Sequence, residues 1–292
     1  MIRTMKGLFR PYQIVLAVFV VPIVAVSSIA PAAEPVVATA EVVQEEEVVA
    51  TDTIPVLDAA AYAVFEVETG KVLGAFNSAA VLPIASVTKL LTAATVLRTV
   101  DRNVEYTITE EDVATLGRAG RLAAGHVYPA YELLFPLLLE SSNDAARVLE
   151  RETSGDIVLR MNAYAKELGA TSLAVVDASG LSDANRASVN DLLTLTRALY
   201  TDLPHVFDMT TLSKRAGPYV GWANNSPIFT HEYRGGKHGY TEAAGRTVVA
   251  LFAEDIAGGE TRVFGYVILG SSDLRADVAT LRSFVKTQVV LK

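Results

Sequence analysis

The chain contains no cysteine. Disulfides, thiolate zinc sites and cysteine nucleophiles are thereby excluded, so any nucleophile must be an oxygen or an amine. Freedom from cysteine fits an exported bacterial protein and a cytosolic one alike. Histidine is scarce: His126, His205, His231 and His238 are scattered and offer no metal-ligand spacing, so neither a metal nor an organic cofactor is expected. Positive charge is also in short supply. Beyond residue 33, 22 basic residues face 33 acidic ones, a net of −11, which argues against nucleic acid as a partner and otherwise serves solubility. With 51% hydrophobic and 20% charged residues over 292 positions, the chain has enough apolar material for a real core, and no internal repeat divides it.

The first ten residues carry Arg3, Lys6 and Arg10 without an acid, and an apolar run follows from Ile14 to Val26, interrupted by Pro22. This is an export signal. Ala30-Pro31-Ala32 offers a cleavage site, while extension to Ala33 approaches the roughly 20 residues that span a bilayer, so residues 1–33 read as a signal peptide or an N-terminal membrane anchor. Either way the basic end stays inside and the remainder lies extracytoplasmically, on the periplasmic or cell-surface side. Residues 34–56, rich in Val, Ala, Thr and Glu, read as an acidic flexible linker. Residues 57–292 then form the folded domain.

Two strand-like runs, Tyr62 to Val67 and Lys71 to Phe76, join through Glu68-Thr69-Gly70 as a hairpin. Pro83 and Ser86 introduce a helix to about Val100. Helical patterns follow at Tyr131 to Leu139, Asp144 to Glu152, Asp156 to Leu168 and Val189 to Tyr200, the last opened by a Ser188/Asp191 capping box. After an irregular stretch, strands return at Arg234 to Tyr240, Thr247 to Glu254 and Thr261 to Leu269, and a helix closes the chain over Leu274 to Val289. Strands at both ends with helices between them imply one sheet assembled from distant segments, plus a helical lobe.

Three short patterns carry the chemistry: Ser86-Val87-Thr88-Lys89, Ser141-Ser142-Asn143 and Lys237-His238-Gly239. A serine hydroxyl needs a base beside it, and on a helix Lys89 lies on the same face as Ser86, three residues on. Burial and a second cation, for which Lys237 is the candidate, would favour the neutral amine. Alone, each pattern has a plain structural reading: Ser86 as an N-cap, Ser142 or Asn143 as another, Lys237 as the guard of an edge strand. Ser-x-x-Lys even recurs at Ser283 to Lys286, where nothing downstream completes a site. The order of all three, and the text around them, decides against coincidence.

Pro83-Ile84-Ala85-Ser86-Val87-Thr88-Lys89-Leu90, Ser141-Ser142-Asn143-Asp144-Ala145-Ala146, Ser179-Gly180-Leu181 and Gly239-Tyr240-Thr241-Glu242-Ala243-Ala244-Gly245 together resemble the penicillin-binding D-alanyl-D-alanine carboxypeptidases. The resemblance runs over roughly residues 57 to 290. It implies an α/β (α+β) fold of the β-lactamase/DD-peptidase kind, an antiparallel sheet flanked by helices with an inserted all-helical lobe. It further implies that Ser86 attacks the penultimate D-alanine carbonyl of a peptidoglycan stem peptide, that Lys89 takes its proton and that Ser141 relays a proton to the leaving D-alanine. Asn143, Lys237, His238, Gly239, Tyr240 and Thr241 would bind substrate, with the Ser86 and Tyr240 N–H groups as the oxyanion hole and β-lactams as covalent inhibitors. His238 stands where the family usually has threonine; protonated, it would grip the substrate carboxylate more strongly below about pH 6.5. That departure keeps a catalytically silent wall-binding module open beside the peptidase. A serine β-lactamase is the other alternative, though no glutamate motif for fast deacylation is recognisable.

Overall fold

The computed structural model describes residues 47–117, 120–153 and 156–292. The expected signal or anchor, and the first part of the expected linker, lie outside them. Strands β1 (Ala61–Glu66) and β2 (Val72–Phe76) form the early hairpin, and β3 (Tyr233–Thr241), β4 (Gly245–Asp255) and β5 (Thr261–Ser271) form a late meander. They join into one antiparallel sheet of order β3-β4-β5-β1-β2, closed by the pairing of β5 with β1 across some 200 residues of sequence. Gly265 sits opposite Phe65 because a Cβ there would fall 2.2 Å from the Phe65 ring.

Side chains alternate across the sheet, which sorts them into two cores. Ala61, Ala63, Phe65, Val249, Leu251, Val267 and Leu269 face the helical lobe. Tyr62, Val64, Val248, Phe252, Phe264, Tyr266 and Ile268 face the opposite way. The lobe includes α1 (Thr88–Thr99), α2 (Ala130–Leu139), α3 (Asn143–Glu152), α4 (Asp156–Glu167), α5 (Val189–Asp202) and α6 (His205–Thr211); α7 (Leu274–Gln288) covers the other face with Leu274, Val278, Leu281, Phe284 and Val285. Helices on both faces explain why all six residues of β1 are buried. The capping box on α5 is present, with Ser188 and Asp191 each accepting the other's backbone N–H.

Two stretches depart from the sequence reading. The linker does not extend to residue 56: Val48–Ala50 pairs antiparallel with Val289–Leu291, and Glu47 and Lys292 exchange both backbone hydrogen bonds at 2.9 and 3.0 Å. Val48 is 1% exposed, so this segment is anchored by burial that only a distant partner supplies. Secondly, the span read as irregular holds α6 and a hairpin of Lys214–Ala216 with Gly221–Ala223. Both are too short to show a period, and Trp222, buried in the lobe, holds the hairpin to it by donating from Nε1 to Gly120 O at 2.9 Å.

Candidate active site

Ser86 does not open α1 directly. It lies in a 3-10 turn, Ala85–Val87, ahead of the helix. In 3-10 geometry residues three apart eclipse one another, and Lys89 Nζ accordingly lies 3.0 Å from Ser86 Oγ. Ala85 takes a left-handed φ of 46°, a strained value for a residue with a Cβ. Four contacts hold the turn: Ile84 N donates to Asn185 O, Thr88 Oγ1 to Ala85 O and Thr247 Oγ1 to Ile84 O, while Gly180 packs so tightly that a Cβ would fall 2.0 Å from Ala85 O.

Lys89 is fully buried. Besides Ser86, its Nζ meets Asn143 Oδ1 at 2.8 Å and Ser179 O at 2.5 Å. Those two groups only accept. An amine that keeps two N–H bonds satisfies both and turns its lone pair toward the Ser86 hydroxyl, the arrangement a general base requires. Asn143 is oriented unambiguously, because its Nδ2 donates to Leu116 O at 2.8 Å.

The second motif lies between α2 and α3. The Pro136 carbonyl accepts from both Glu140 N and Ser142 N, so the chain reverses with Ser141 left-handed at φ 62°. Ser142 is the N-cap of α3, its Oγ accepting from Ala145 N at 3.0 Å. That capping role frees the flanking Ser141 and Asn143 for the cleft, which both line.

Strand β3 supplies the third side as the edge of the sheet. Backbone groups along a strand point alternately to its two edges. Gly236 N donates to Thr210 Oγ1 at 2.9 Å, away from β4, so His238 and Tyr240 present their backbone groups to the same edge, the one turned from β4. Lys237 is buried, and its Nζ donates to His238 O there at 2.6 Å. Gly239 passes so near the serine that a Cβ would stand 2.6 Å from Ser86 N. Ser86, Ser141, Asn143, His238, Gly239, Tyr240 and Thr241 thus line one cleft, joined by Gly117, Gly180 and Leu181. Lys237 adjoins this set in the strand without being part of its lining. The other Ser-x-x-Lys lies on α7, where Lys286 pairs with buried Glu254 at 3.2 Å.

Sequence reasoning missed the carbonyls of Ser179 and Leu116, which carry no side-chain signal, and the carboxylates behind the site. Asp112 is fully buried and paired with Arg151 at 2.9 Å. Burial alone would raise its pKa, but the Arg151 and Thr109 hydrogen bonds outweigh it and hold it low. Asp144, next to Asn143, is fully buried, and among the described residues neither carboxylate oxygen has a hydrogen-bond partner. Burial, followed by repulsion from Asp112, pushes its pKa up to about 6. Among the described residues no cluster of metal-ligating side chains occurs and no helix is long and apolar enough to cross a membrane.

The profile of the D-alanyl-D-alanine carboxypeptidase family matches residues 48–265. A D-alanyl-D-alanine carboxypeptidase of Mycobacterium tuberculosis is 30% identical over 214 residues, covering 69% of this chain and 73% of the relative. A D-alanyl-D-alanine endopeptidase of Haemophilus influenzae is 35% identical over 144 residues, and the chain spans about half that relative's length, 49%. Among solved structures, a D-alanyl-D-alanine carboxypeptidase from M. tuberculosis superposes with a TM-score of 0.72 at 28% identity, covering 80% of this chain and 93% of that one. A penicillin-binding protein from Listeria monocytogenes in its cefotaxime-bound form gives 0.69 at 25% identity, covering 80% and 99%.

Proposed function

Because the chain belongs to the D-alanyl-D-alanine carboxypeptidase family, we propose that it removes the terminal D-alanine from peptidoglycan stem peptides through an acyl-enzyme at Ser86, and that β-lactams acylate the same oxygen. One observation carries the reading: Lys89 Nζ is held between Ser86 Oγ and two groups that can only accept from it. Lys89 takes the hydroxyl proton as Oγ attacks the carbonyl of the penultimate D-alanine. The N–H groups of Ser86 and Tyr240 receive the oxyanion; the approach of Gly239 to Ser86 N and the outward turn of Tyr240 support that pairing. Ser141 passes a proton to the departing D-alanine nitrogen, Asn143 binds the substrate amide, and water then releases the shortened peptide. Lys237, with His238 and Thr241 at the strand edge, provides for the terminal carboxylate.

The test is incubation with a fluorescent penicillin, together with chromatography of a diacyl-Lys-D-Ala-D-Ala peptide. Stable labelling and D-alanine release, both abolished by Ser86→Ala, are expected. Rapid turnover of the label would favour a β-lactamase, and no labelling a silent wall-binding module. The endopeptidase name of the Haemophilus relative favours adding cross-linked dimers as a second substrate. The basic start and apolar run of residues 1–33 support an extracytoplasmic location, anchored or released; fractionation of cells carrying the full chain, with N-terminal sequencing, decides it.

A further inference from the structure

Asp177 lies outside the three motifs and does not line the cleft, yet its carboxylate is the most heavily engaged near it. Oδ1 accepts from Ser179 N at 2.7 Å, Gly180 N at 2.6 Å and Ser179 Oγ at 2.8 Å, and Oδ2 accepts from Ser182 N at 2.9 Å. Its own backbone is clamped by Asn185, which receives Asp177 N and Val176 N and donates from Nδ2 to Asp177 O and Thr88 Oγ1. Asp177 enters no ion pair among the described residues. Its negative charge is therefore directed into one small turn.

One peptide unit of that turn has a partner at each end. Its N–H, on Gly180, donates to Asp177 Oδ1; its carbonyl, on Ser179, receives Lys89 Nζ at 2.5 Å. A carboxylate on the donor side of an amide polarises the amide and strengthens the acceptor on the other side. The same unit is pressed against the nucleophile's turn through Gly180, whose φ of 82° and contact with Ala85 O leave no room for a side chain. Resting on the acylation chemistry proposed above, we propose that Asp177 is a positioning residue for the Ser86–Lys89 pair, acting through the Ser179–Gly180 peptide as the orienting carboxylate of a relay from Asp177 to peptide, Lys89 and Ser86. It fixes the direction of the Lys89 amine and, by strengthening the carbonyl that receives it, sets the pH at which that amine gives up its proton.

The test is the rate of Ser86 acylation by a fluorescent penicillin across pH 5 to 9 in the full chain, in Asp177→Ala and in Asp177→Asn. The alanine variant removes all four acceptor contacts, and its acylation rate constant should fall at least tenfold with little change in the concentration of penicillin that half-saturates the rate. The asparagine variant keeps an acceptor at Oδ1 but not the charge. It should recover part of the rate, and the acid limb of its profile should move to lower pH, because a less polarised carbonyl stabilises the ammonium less. Acid limbs that coincide in wild type and Asp177→Asn, or an alanine variant that acylates at the wild-type rate, would overturn the proposal. If Asp177→Ala does not fold, the asparagine profile decides; an asparagine variant that also fails to fold makes Asp177 a folding residue and overturns it too. Absence of labelling in the wild type would instead refute the acylation chemistry itself.

Discussion

A lysine with no exposed surface is costly unless its nitrogen is occupied, and Asn143 and Ser179 come to Lys89 from other segments to help meet that condition. Replacing Lys89 by alanine should abolish penicillin labelling. Lys286→Ala should leave the label intact, since Lys286 of α7 belongs to the ion pairs around Glu254 of β4; equal effects on labelling would remove the basis for choosing between the two Ser-x-x-Lys sites. Asp144 makes a different prediction. Its folded pKa of about 6 lies above the ordinary 3.8, so the folded state holds this proton more tightly than the unfolded chain. Well below the ordinary 3.8 both states are protonated and burial of the carboxyl carries no ionic penalty. As pH rises toward 6 the unfolded chain ionises first and stability is lost, by on the order of 2 to 3 kcal/mol, with no further change above that window. The unfolding free energy of Asp144→Asn minus that of wild type should therefore grow by about 2 kcal/mol between pH 4 and pH 8. Denaturant titrations at the two pH values measure this difference, in which any constant cost of the new amide cancels. An unchanging difference would mean that Asp144 is not held protonated by the fold.

At the scale of elements, the cleft is made where backbones approach more closely than side chains allow. Gly180→Ala would drive a methyl group to 2.0 Å from Ala85 O at a left-handed φ, costing about 3 kcal/mol and displacing the turn that carries Ser86. Gly259→Ala is the matched control: its φ of 88° is also left-handed, but nothing lies within 4 Å of the new methyl. It should cost only about 1 to 2 kcal/mol and leave the labelling rate unchanged, as thermal melts and labelling time courses would show. These contacts mark the limit of what was legible in the sequence. The Ser86–Lys89 spacing, the Ser188/Asp191 capping box and the hairpin around Gly70 are local patterns, and the structure contains each of them. The 3-10 form of the Ser86 turn, the carbonyls of Ser179 and Leu116 that flank the site, and the short helix α6 depend on partners beyond the reach of any local pattern or on no side chain at all. Ser179-Gly180-Leu181 could be noticed as text, but its reason, a peptide bridging Asp177 and Lys89, exists only once α1 lies beside it.

At the scale of the whole molecule, the two ends of the described chain hold each other. Val48–Ala50 and Val289–Leu291 form an antiparallel pair, Thr51 N reaches Gln288 O at 2.7 Å, and the Tyr62 hydroxyl donates to Pro55 O at 2.9 Å, so the segment reaches the sheet through β1 as well. The family profile begins at residue 48, within one residue of this boundary. Composition alone makes the segment resemble the tether before it, because three residues of strand have no periodicity and draw their stability from a partner 240 positions away. A chain beginning at Val56 should consequently be less stable than one beginning at Glu47. Loss of the buried Val48 side chain alone accounts for about 2 kcal/mol, and the freed edge of Val289–Leu291 adds exposed backbone groups that invite association. The cleft is built from the 3-10 turn before α1, the α2–α3 turn, the turn at Gly180 and β3, none of which touches the terminal pair through the hydrogen bonds above, so the two chains should take up fluorescent penicillin at the same rate. Denaturant midpoints that coincide would show that the terminal pair contributes nothing to the fold, whereas a shorter chain that is both less stable and slower to acylate would show that the clasp at the termini also tensions the sheet edge on which Tyr240 presents its N–H.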